Sequence, residues 1–594
     1  MCGFIGQASF EVLEPEKLIS PNDRIICRGP DECKTEFFSS GPVNYSLVFN
    51  RLRILDLSTT ADQPMKSSNG KSLLMFNGEV YNHKELREKL IKKGARFVTR
   101  KSDTETILNG LDLFGKEFIK ELRGQFAIFY VNFEKREILL SRDRLGQKPL
   151  FYKFDKNTVS FSSNLKSLLE IVDSNQIDYS EIVNYMNIGV VPSPKTLYKN
   201  IYKLNPAENL IISINSDSFD IKNEKYWSAR DVVDEKNFQL EEFFDIFTDS
   251  VNIRKDADVE IATFLSGGID STSIIKNMHD NDHKINSFSV SVPNSKYDES
   301  KWASQVSKKY STNHTNINVT SSLSFENINE ALTSLDEPYS DPSVIPSYFL
   351  TKEMSKYYKV AISGDGGDEL LGGYKRVVNT LNYNKKYLDI FSKAYEFYPP
   401  FLGTGNKLLS KSKNIETRYK SFLEDNKFLN LLDLKPETNN NLLKLDNGFD
   451  DYKNILLTEY RFFLSEMMLL KVDRTSMKNS VEVRSPFLDH KLIEYIFSHN
   501  TNYINHNEPK EILKKYLSND FDTSFLQRKK QGFVFNLEDF IYKNNVEIFD
   551  ILSNGKIVNF MKLNKLNQLN IKKSPINAQR IWKLLVLNSY FEDS

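Results

Sequence analysis

The sequence predicts two units of different class: an α+β unit of antiparallel strands, then an α/β unit on a parallel sheet with a helical C-terminal part. Three observations predict it. Up to about residue 165, short β-rich runs are broken by turn residues. From about 240, long helical stretches alternate with apolar strands, the pattern of a parallel sheet with helices on its faces. From about 375 the pattern is mostly helical. A length of 594 residues also exceeds what one hydrophobic core usually supports.

In chain order, "SLVFNRLRILDLS", "SLLMFNGEVYN", "QFAIFYVNFEKREILLSRD" and "LFYKFDKNTVSFSS" read as strands. Between them "KELREKLIKKG" and "SDTETILNGLDLFG" read as helices, each stopping near a glycine. "VPSPKTLYKNIYKLNPAEN" is a proline-punctuated crossover. The polar stretch "ISINSDSFDIKNEKYWSARDVVDEKN" holds the expected boundary, which divides the chain into residues 1–218 and 219–594. Beyond it "VEIATFL", "INSFSVSV" and "YKVAIS" are the strands of the second sheet.

The composition excludes several classes. With 40% hydrophobic and 27% charged residues the chain is globular. Lys+Arg and Asp+Glu are equal at 79 each, which gives no reason to expect nucleic acid or an anionic membrane. Three cysteines, Cys2, Cys27 and Cys33, are too few and too odd for a disulfide framework and point to a reducing compartment. Neither a signal peptide nor an apolar run of ~18–20 residues is present. A cytoplasmic protein is expected.

The chain opens "MCGFIGQ". If Met1 is removed, Cys2 carries a thiol and a free α-amine on one residue. Their reference pKa values lie near ~8.5 and ~7.7–8.0, so near neutral pH the amine can accept the thiol proton. Taken alone, Cys2 reads rather as an arbitrary second residue, small enough to permit methionine removal. It does not stand alone. "RGPDE" at 28–32, "NRLRILDLS" at 50–58, "QPM" at 63–65, "NGEVYN" at 77–82, "SDTE" at 102–105 and "SRDRLGQKPLFY" at 141–152 follow in order.

Together with "MCGFIG" these segments resemble the class II, N-terminal nucleophile (Ntn) glutamine amidotransferase domain, over nearly all of residues 1–170. The resemblance implies stacked antiparallel sheets and a glutaminase site. Cys2 would be the nucleophile. Arg51 would hold the α-carboxylate of glutamine through a bidentate fork. Glu79 and Asp103 would take its ammonium, and Asn77 with the Gly78 amide would form an oxyanion hole. Other readings of these residues exist. "NG" is a common hairpin turn, and Ser102 with Glu105 could be a capping box. Two departures from the family pattern touch only loops: Cys27 stands where many relatives have His, and Ala207 where glycine is usual.

In the second unit an apolar strand runs into "SGGIDS" at 266–271 and then a helix. Glycines and serines at a helix N-terminus cradle pyrophosphate with N–H groups and hydroxyls. The loop lacks a Walker A lysine, so γ-phosphoryl transfer is not implied. The pattern resembles the PP-loop ATP pyrophosphatases. "YDES" at 297–300, "LDEPYSDPSVIPSY" at 335–348, "VAISGDGGDELLGGY" at 360–374, "LLKVDRTSMKNSVEVRSPFLDH" at 469–490 and "RKKQGF" at 528–533 extend the match. They resemble the synthetase domain of glutamine-hydrolysing asparagine synthetase over about 240–540. This implies ATP contacts from Leu265, Ser266, Gly267, Gly268, Asp270, Ser271, Val290, Ser363 and Gly364. It implies Mg²⁺ on Asp270 and Asp368, Asp365 facing the acceptor, and Lys530 neutralising the departing pyrophosphate. Arg474 and Arg484 either hold substrate carboxylates or phosphates, or form structural ion pairs.

The order of the modules implies an ATP-dependent amidotransferase with ammonia passed internally. Aspartate is the default acceptor, and a sugar uronic acid is an alternative. A β-lactam synthetase has a similar layout without needing Cys2. A non-catalytic scaffold would not need Cys2, Asp270, Asp368 and Lys530 together. Relatives are commonly homodimers.

Overall fold

The computed structural model describes residues 2–172, 176–232, 236–281, 283–291, 298–318, 324–382, 390–435, 443–446, 448–500, 508–528, 536–561 and 565–593. The first unit stacks two six-stranded antiparallel sheets. The strands in chain order are β1 (Gly3–Ser9), β2 (Glu32–Ser40), β3 (Val43–Arg51), β4 (Met65–Lys66), β5 (Ser72–Val80), β6 (Gly124–Asn132), β7 (Glu137–Arg142), β8 (Phe151–Phe154), β9 (Thr158–Ser162), β10 (Ile201–Lys203), β11 (Glu208–Ile214) and β12 (Phe219–Lys225). One sheet runs β10-β8-β9-β1-β3-β2 and the other β12-β11-β7-β6-β5-β4.

Alternation along the strands makes the core between the sheets. Phe4, Leu47, Phe49 and Phe161 of the first sheet meet Leu73, Met75, Phe129 and Leu140 of the second. The rings of Phe129 and Phe161 stack at 4.4 Å. On the outer face of the second sheet Leu74, Phe76 and Ile128 pack against Leu86, Leu90, Ile107 and Leu111. The latter four lie on the helices His83–Lys92 and Asp103–Phe114, as the sequence predicts.

The expected division at 218/219 falls inside a hairpin. β12 pairs with β11 from Glu208↔Lys225 to Ile214↔Phe219, so the sheet of the first unit extends to Lys225. β12 reads as linker because it is an edge strand with mostly exposed, polar side chains.

The second unit holds a five-stranded sheet, β15-β14-β13-β16-β17, all pairs parallel. Its strands are β13 (Ile261–Phe264), β14 (Asn286–Ser291), β15 (Asn313–Asn318), β16 (Val360–Ile362) and β17 (Glu482–Arg484). The sequence points to β13, β14 and β16. It does not point to β17, whose three residues lie in a stretch that is otherwise helical. The last element, Pro575–Glu592, is a helix buried along most of its length. Among the described residues no helix is long and apolar enough to cross a membrane.

Candidate active site

The first site grows from strand register. Cys2 precedes β1, and Asn77, Gly78 and Glu79 are consecutive near the end of β5. The Cys2 backbone N–H donates to Asn77 Oδ1 at 3.0 Å. Asn77 Nδ2 is buried and has no hydrogen-bond partner among the described residues, so it is an available donor. Gly78 has a packing reason to be glycine: a Cβ would lie 2.0 Å from the Gln125 carbonyl of β6. Burial pushes the Cys2 thiol up, opposed in part by the Leu52 backbone and the Arg51 charge.

The charged groups around this thiol are already held. Arg51 Nη1 donates to Ser58 O and Asp62 Oδ1 at 2.8 and 2.5 Å, and its Nη2 to Asp56 O at 2.5 Å. Asp103 begins its helix, and its oxygens accept Thr104 N at 2.8 Å and Val80 N at 3.1 Å. Ser102 makes no capping bond, and Glu105 turns back to Thr99 N at 2.8 Å, so "SDTE" is not a capping box. Glu79 is 4% exposed. Burial drives its carboxyl well above the ordinary range, and Arg484 opposes this from the second unit.

The second site is built from loops at the ends of β13 and β16. Leu265 N is held by Phe288 O of β14 at 2.7 Å, and Val290 lies two residues further along that strand. Ser266 Oγ accepts Gly268 N at 3.1 Å, and Ser271 Oγ donates to Gly268 O at 3.2 Å. Gly267 adopts φ +69°, and a Cβ there would strike Trp302 at 2.6 Å. The loop opens into the helix Ile269–Asp280, whose N-terminal amides suit an anion. The 363–368 loop closes on it: a Cβ on Gly364 or Gly367 would meet Asp270 at 3.0 or 2.6 Å. Ser363 Oγ donates to Asp365 Oδ2 at 2.8 Å.

Asp270 and Asp368 converge on one cation, Lys510. Its Nζ lies 2.6 Å from Asp368 Oδ1 and also bonds Asp270 Oδ2. Two carboxylates aimed at one positive centre are the oxygen donors that Mg²⁺ takes when substrate phosphates and water complete its shell. Among the described residues no third His, Cys or acid joins them. Sequence reasoning missed Lys510, since one lysine in "NEPKEILKK" carries no local signal. Lys530 lies outside the described residues. Arg528, two residues earlier, pairs with Glu299 of "YDES" at 3.2 Å.

A narrow cavity lies between the two units, against the 363–368 loop. Gln125, Gln147 and Lys148 line it from the first unit, and Ser363, Asp365 and Asp473 from the second. Its wall carries a buried charge cluster, of which sequence reasoning had only Arg474, as one side of an open choice between substrate binding and ion pairing. Arg28 Nε donates to Cys2 O at 3.1 Å, and its Nη atoms grip Asp473 at 2.9 and 3.1 Å. Lys148 and Arg474 reach the same carboxylate at 3.3 and 3.1 Å. Burial alone would raise Asp473, but the three cations hold it well below the ordinary range. Arg474 also pairs with Asp336 at 2.6 Å, and Arg484 with Glu482 at 2.6 Å.

A buried thiol at residue 2 beside an amide donor, and a glycine loop facing paired acids, mark a chain with two centres, one in each unit. Comparison with known families agrees. Residues 1–227 match the glutamine amidotransferase domain, and residues 242–591 match asparagine synthase. The chain belongs to the asparagine synthase family. It is 28% identical to asparagine synthetase [glutamine-hydrolyzing] 1 of Bacillus subtilis, over 99% of this chain and 96% of that protein. It is 33% identical to a putative asparagine synthetase [glutamine-hydrolyzing] 2 of Methanocaldococcus jannaschii, over 64% of this chain and 76% of that protein.

Proposed function

We propose that this chain hydrolyses glutamine at Cys2 and uses the released ammonia to amidate a carboxylate activated by ATP, with aspartate as acceptor and asparagine as product. The observation that carries the reading is the seat of Cys2, whose backbone N–H donates to Asn77 Oδ1 at 3.0 Å while Asn77 Nδ2 stays available as a buried donor.

With Met1 removed, the nitrogen now held by Asn77 Oδ1 becomes the α-amine. It takes the Cys2 proton, and the sulfur attacks the glutamine amide carbon. Asn77 Nδ2 and the Gly78 amide receive the charge that forms on the carbonyl oxygen. Arg51, Glu79 and Asp103 orient the amino-acid end. Ammonia leaves, and water clears the glutamyl thioester. In the second site Ser266, Gly267, Gly268 and Ser271 cradle the phosphates, and Val290, Ser363 and Gly364 hold the nucleoside side. Asp270 and Asp368 would hold Mg²⁺, which supplies charge neutralisation to the leaving pyrophosphate; Lys510 adds to it, and Lys530 is assigned the same task. Asp365 faces the acceptor at the cavity mouth. Ammonia displaces AMP from the acyl-adenylate. A closed path matters because free ammonia is mostly protonated near neutral pH and then is no nucleophile.

Cys2→Ala tests the first half. Glutamine-dependent synthesis should vanish while ammonia-dependent synthesis persists; intact glutamine-dependent turnover would sink the assignment. Pyrophosphate release with ATP, Mg²⁺ and ammonia, scanned over carboxylic acids, tests the acceptor. Aspartate should give the highest kcat/KM, and a sugar uronic acid in its place would overturn aspartate while keeping the chemistry.

A further inference from the structure

Arg484 touches both sites at once. It ends β17, and its carbonyl accepts the N–H of Ser363, the first residue of the 363–368 loop, at 2.9 Å. Its neighbour Ser485 donates Oγ to the Asp365 carbonyl in the same loop at 2.5 Å. The Arg484 side chain points into the other domain. Nε is fixed by Glu482 at 2.6 Å, and Nη1 by the carbonyls of Arg254 and Asp256 at 2.9 and 2.8 Å. That leaves Nη2, which lies 3.2 Å from Glu79 Oε2. The contact is an ion pair without hydrogen-bond alignment, since Nη2 has no hydrogen-bond partner among the described residues. The guanidinium has no exposure to water.

We propose that Arg484 is the positioning residue that presents Glu79 to the ammonium group of glutamine, and that it ties glutamine affinity to the state of the nucleotide loop. The inference rests on the proposed glutaminase function of Cys2. The charged groups acting on Glu79 are Arg484, Asp103, Glu482 and the α-amine at the chain's start. Burial, Asp103 and Glu482 all favour a neutral Glu79, and Arg484 is the strongest opposing charge. A neutral Glu79 loses its attraction for an ammonium group. The Arg484 guanidinium is wholly enclosed by protein groups, so it acts through Glu79 on one side and through the backbone of β17 on the other.

The test is glutamate release by full-length Arg484→Gln and Arg484→Lys across pH 6–9, beside ammonia-dependent synthesis. In Arg484→Gln the KM for glutamine should rise at least tenfold more than any change in ammonia-dependent kcat/KM. It should fall again as pH rises and Glu79 ionises. Arg484→Lys should recover part of the loss. Glu79→Gln with Arg484→Gln should be no worse than Glu79→Gln alone. In the wild type, α,β-methylene-ATP with Mg²⁺ should shift the KM for glutamine at least threefold, and Arg484→Lys should lose that shift. A pH-independent loss that is equal for both nitrogen donors would mean a merely structural arginine and overturn the proposal. A nucleotide shift that persists in Arg484→Lys would overturn the coupling. Absence of glutamate release by the wild type would instead overturn the glutaminase reading on which this rests.

Discussion

The proposed glutamine site and the proposed nucleotide site are built by opposite means. Around Cys2 the functional groups come from strands: Asn77, Gly78 and Glu79 are consecutive on β5, and Arg51 ends β3. Ladder hydrogen bonds place them, so the geometry exists before any ligand arrives. Around Asp270 the groups come from loops and from the first turns of the helices that follow them, Ile269–Asp280 and Gly367–Leu370. Gly267 has φ +69°, and Gly364 and Gly367 leave room for Asp270. The two acids are drawn together by Lys510, which lies 240 residues from Asp270 and has φ +58°. A strand site is held by backbone pairing; a loop site is held by missing side chains and by charge. Removing a charge should therefore hurt the second site most, while the first should tolerate it unless the charge is buried at the boundary.

The largest expected effect breaks that comparison if it fails. Asp270→Asn takes one charge from the centre proposed to neutralise pyrophosphate, and loss of such a contact costs on the order of 10²–10³ in rate. Synthesis should fall by that factor with either nitrogen donor, while glutamine hydrolysis at Cys2 survives. Glutamate and pyrophosphate release measured side by side decide it. Pyrophosphate release near wild type would mean the loops do not depend on this charge.

The next effect lies on the boundary. Asp473→Ala leaves Arg28, Lys148 and Arg474 facing one another in a site where Asp473 is 3% exposed. Stripping one partner from a buried ion cluster typically costs about 3–5 kcal/mol. Thermal unfolding should show a clear drop in midpoint, and an unchanged midpoint would show that the cluster contributes nothing to joining the domains.

A pH profile sharpens the same point. His490 begins the helix His490–Ser498. Burial, then Arg144 of the first domain, lowers its pKa to about 3. Its unfolded value is near ~6.5. Between those values the unfolded chain binds a proton that the folded chain does not, so stability should fall as pH falls from about 6.5 towards 3. The slope from this group is at most about 1.4 kcal/mol per pH unit. His490→Gln should flatten the unfolding midpoint over that window. Asp473 acts lower: its carboxyl is depressed when folded, so its stabilisation holds above about 3.9 and is lost as pH falls further.

The smallest effect concerns a departure from the family pattern. Ala207 has φ +59°, a left-handed conformation that suits the glycine usual there. Ala207 N donates to Asp143 O, and Ala207 O accepts Tyr226 N, both at 2.9 Å, so the turn is pinned. Ala207→Gly relieves about 1–2 kcal/mol of strain against a backbone-entropy loss of about 0.5–1. A gain of about 0.5 kcal/mol in denaturant unfolding is expected. A loss would mean that the turn holds Ala without strain.

Much of both sites was legible because their chemistry is contiguous along the chain. "NGE" at 77–79, "SGGIDS" at 266–271 and "SGDGGDE" at 363–369 each fold as one strand end or one loop, so spacing in sequence is spacing in space. The two fold classes were legible for the same reason, since period and turn residues are local. What the tertiary structure alone decided is the pairing of distant groups: Glu79 with Arg484, Asp270 and Asp368 with Lys510, and Cys2 through Arg28 to Asp473. It also decided β12, an edge strand disguised by polar side chains, and β17, three residues too short to show a period. The physical reason is burial. A lone Arg, Lys or Asp has no local preference that marks its partner. Only when the chain removes water from around it does an unpaired charge become costly enough that a partner more than a hundred residues away must be brought to meet it.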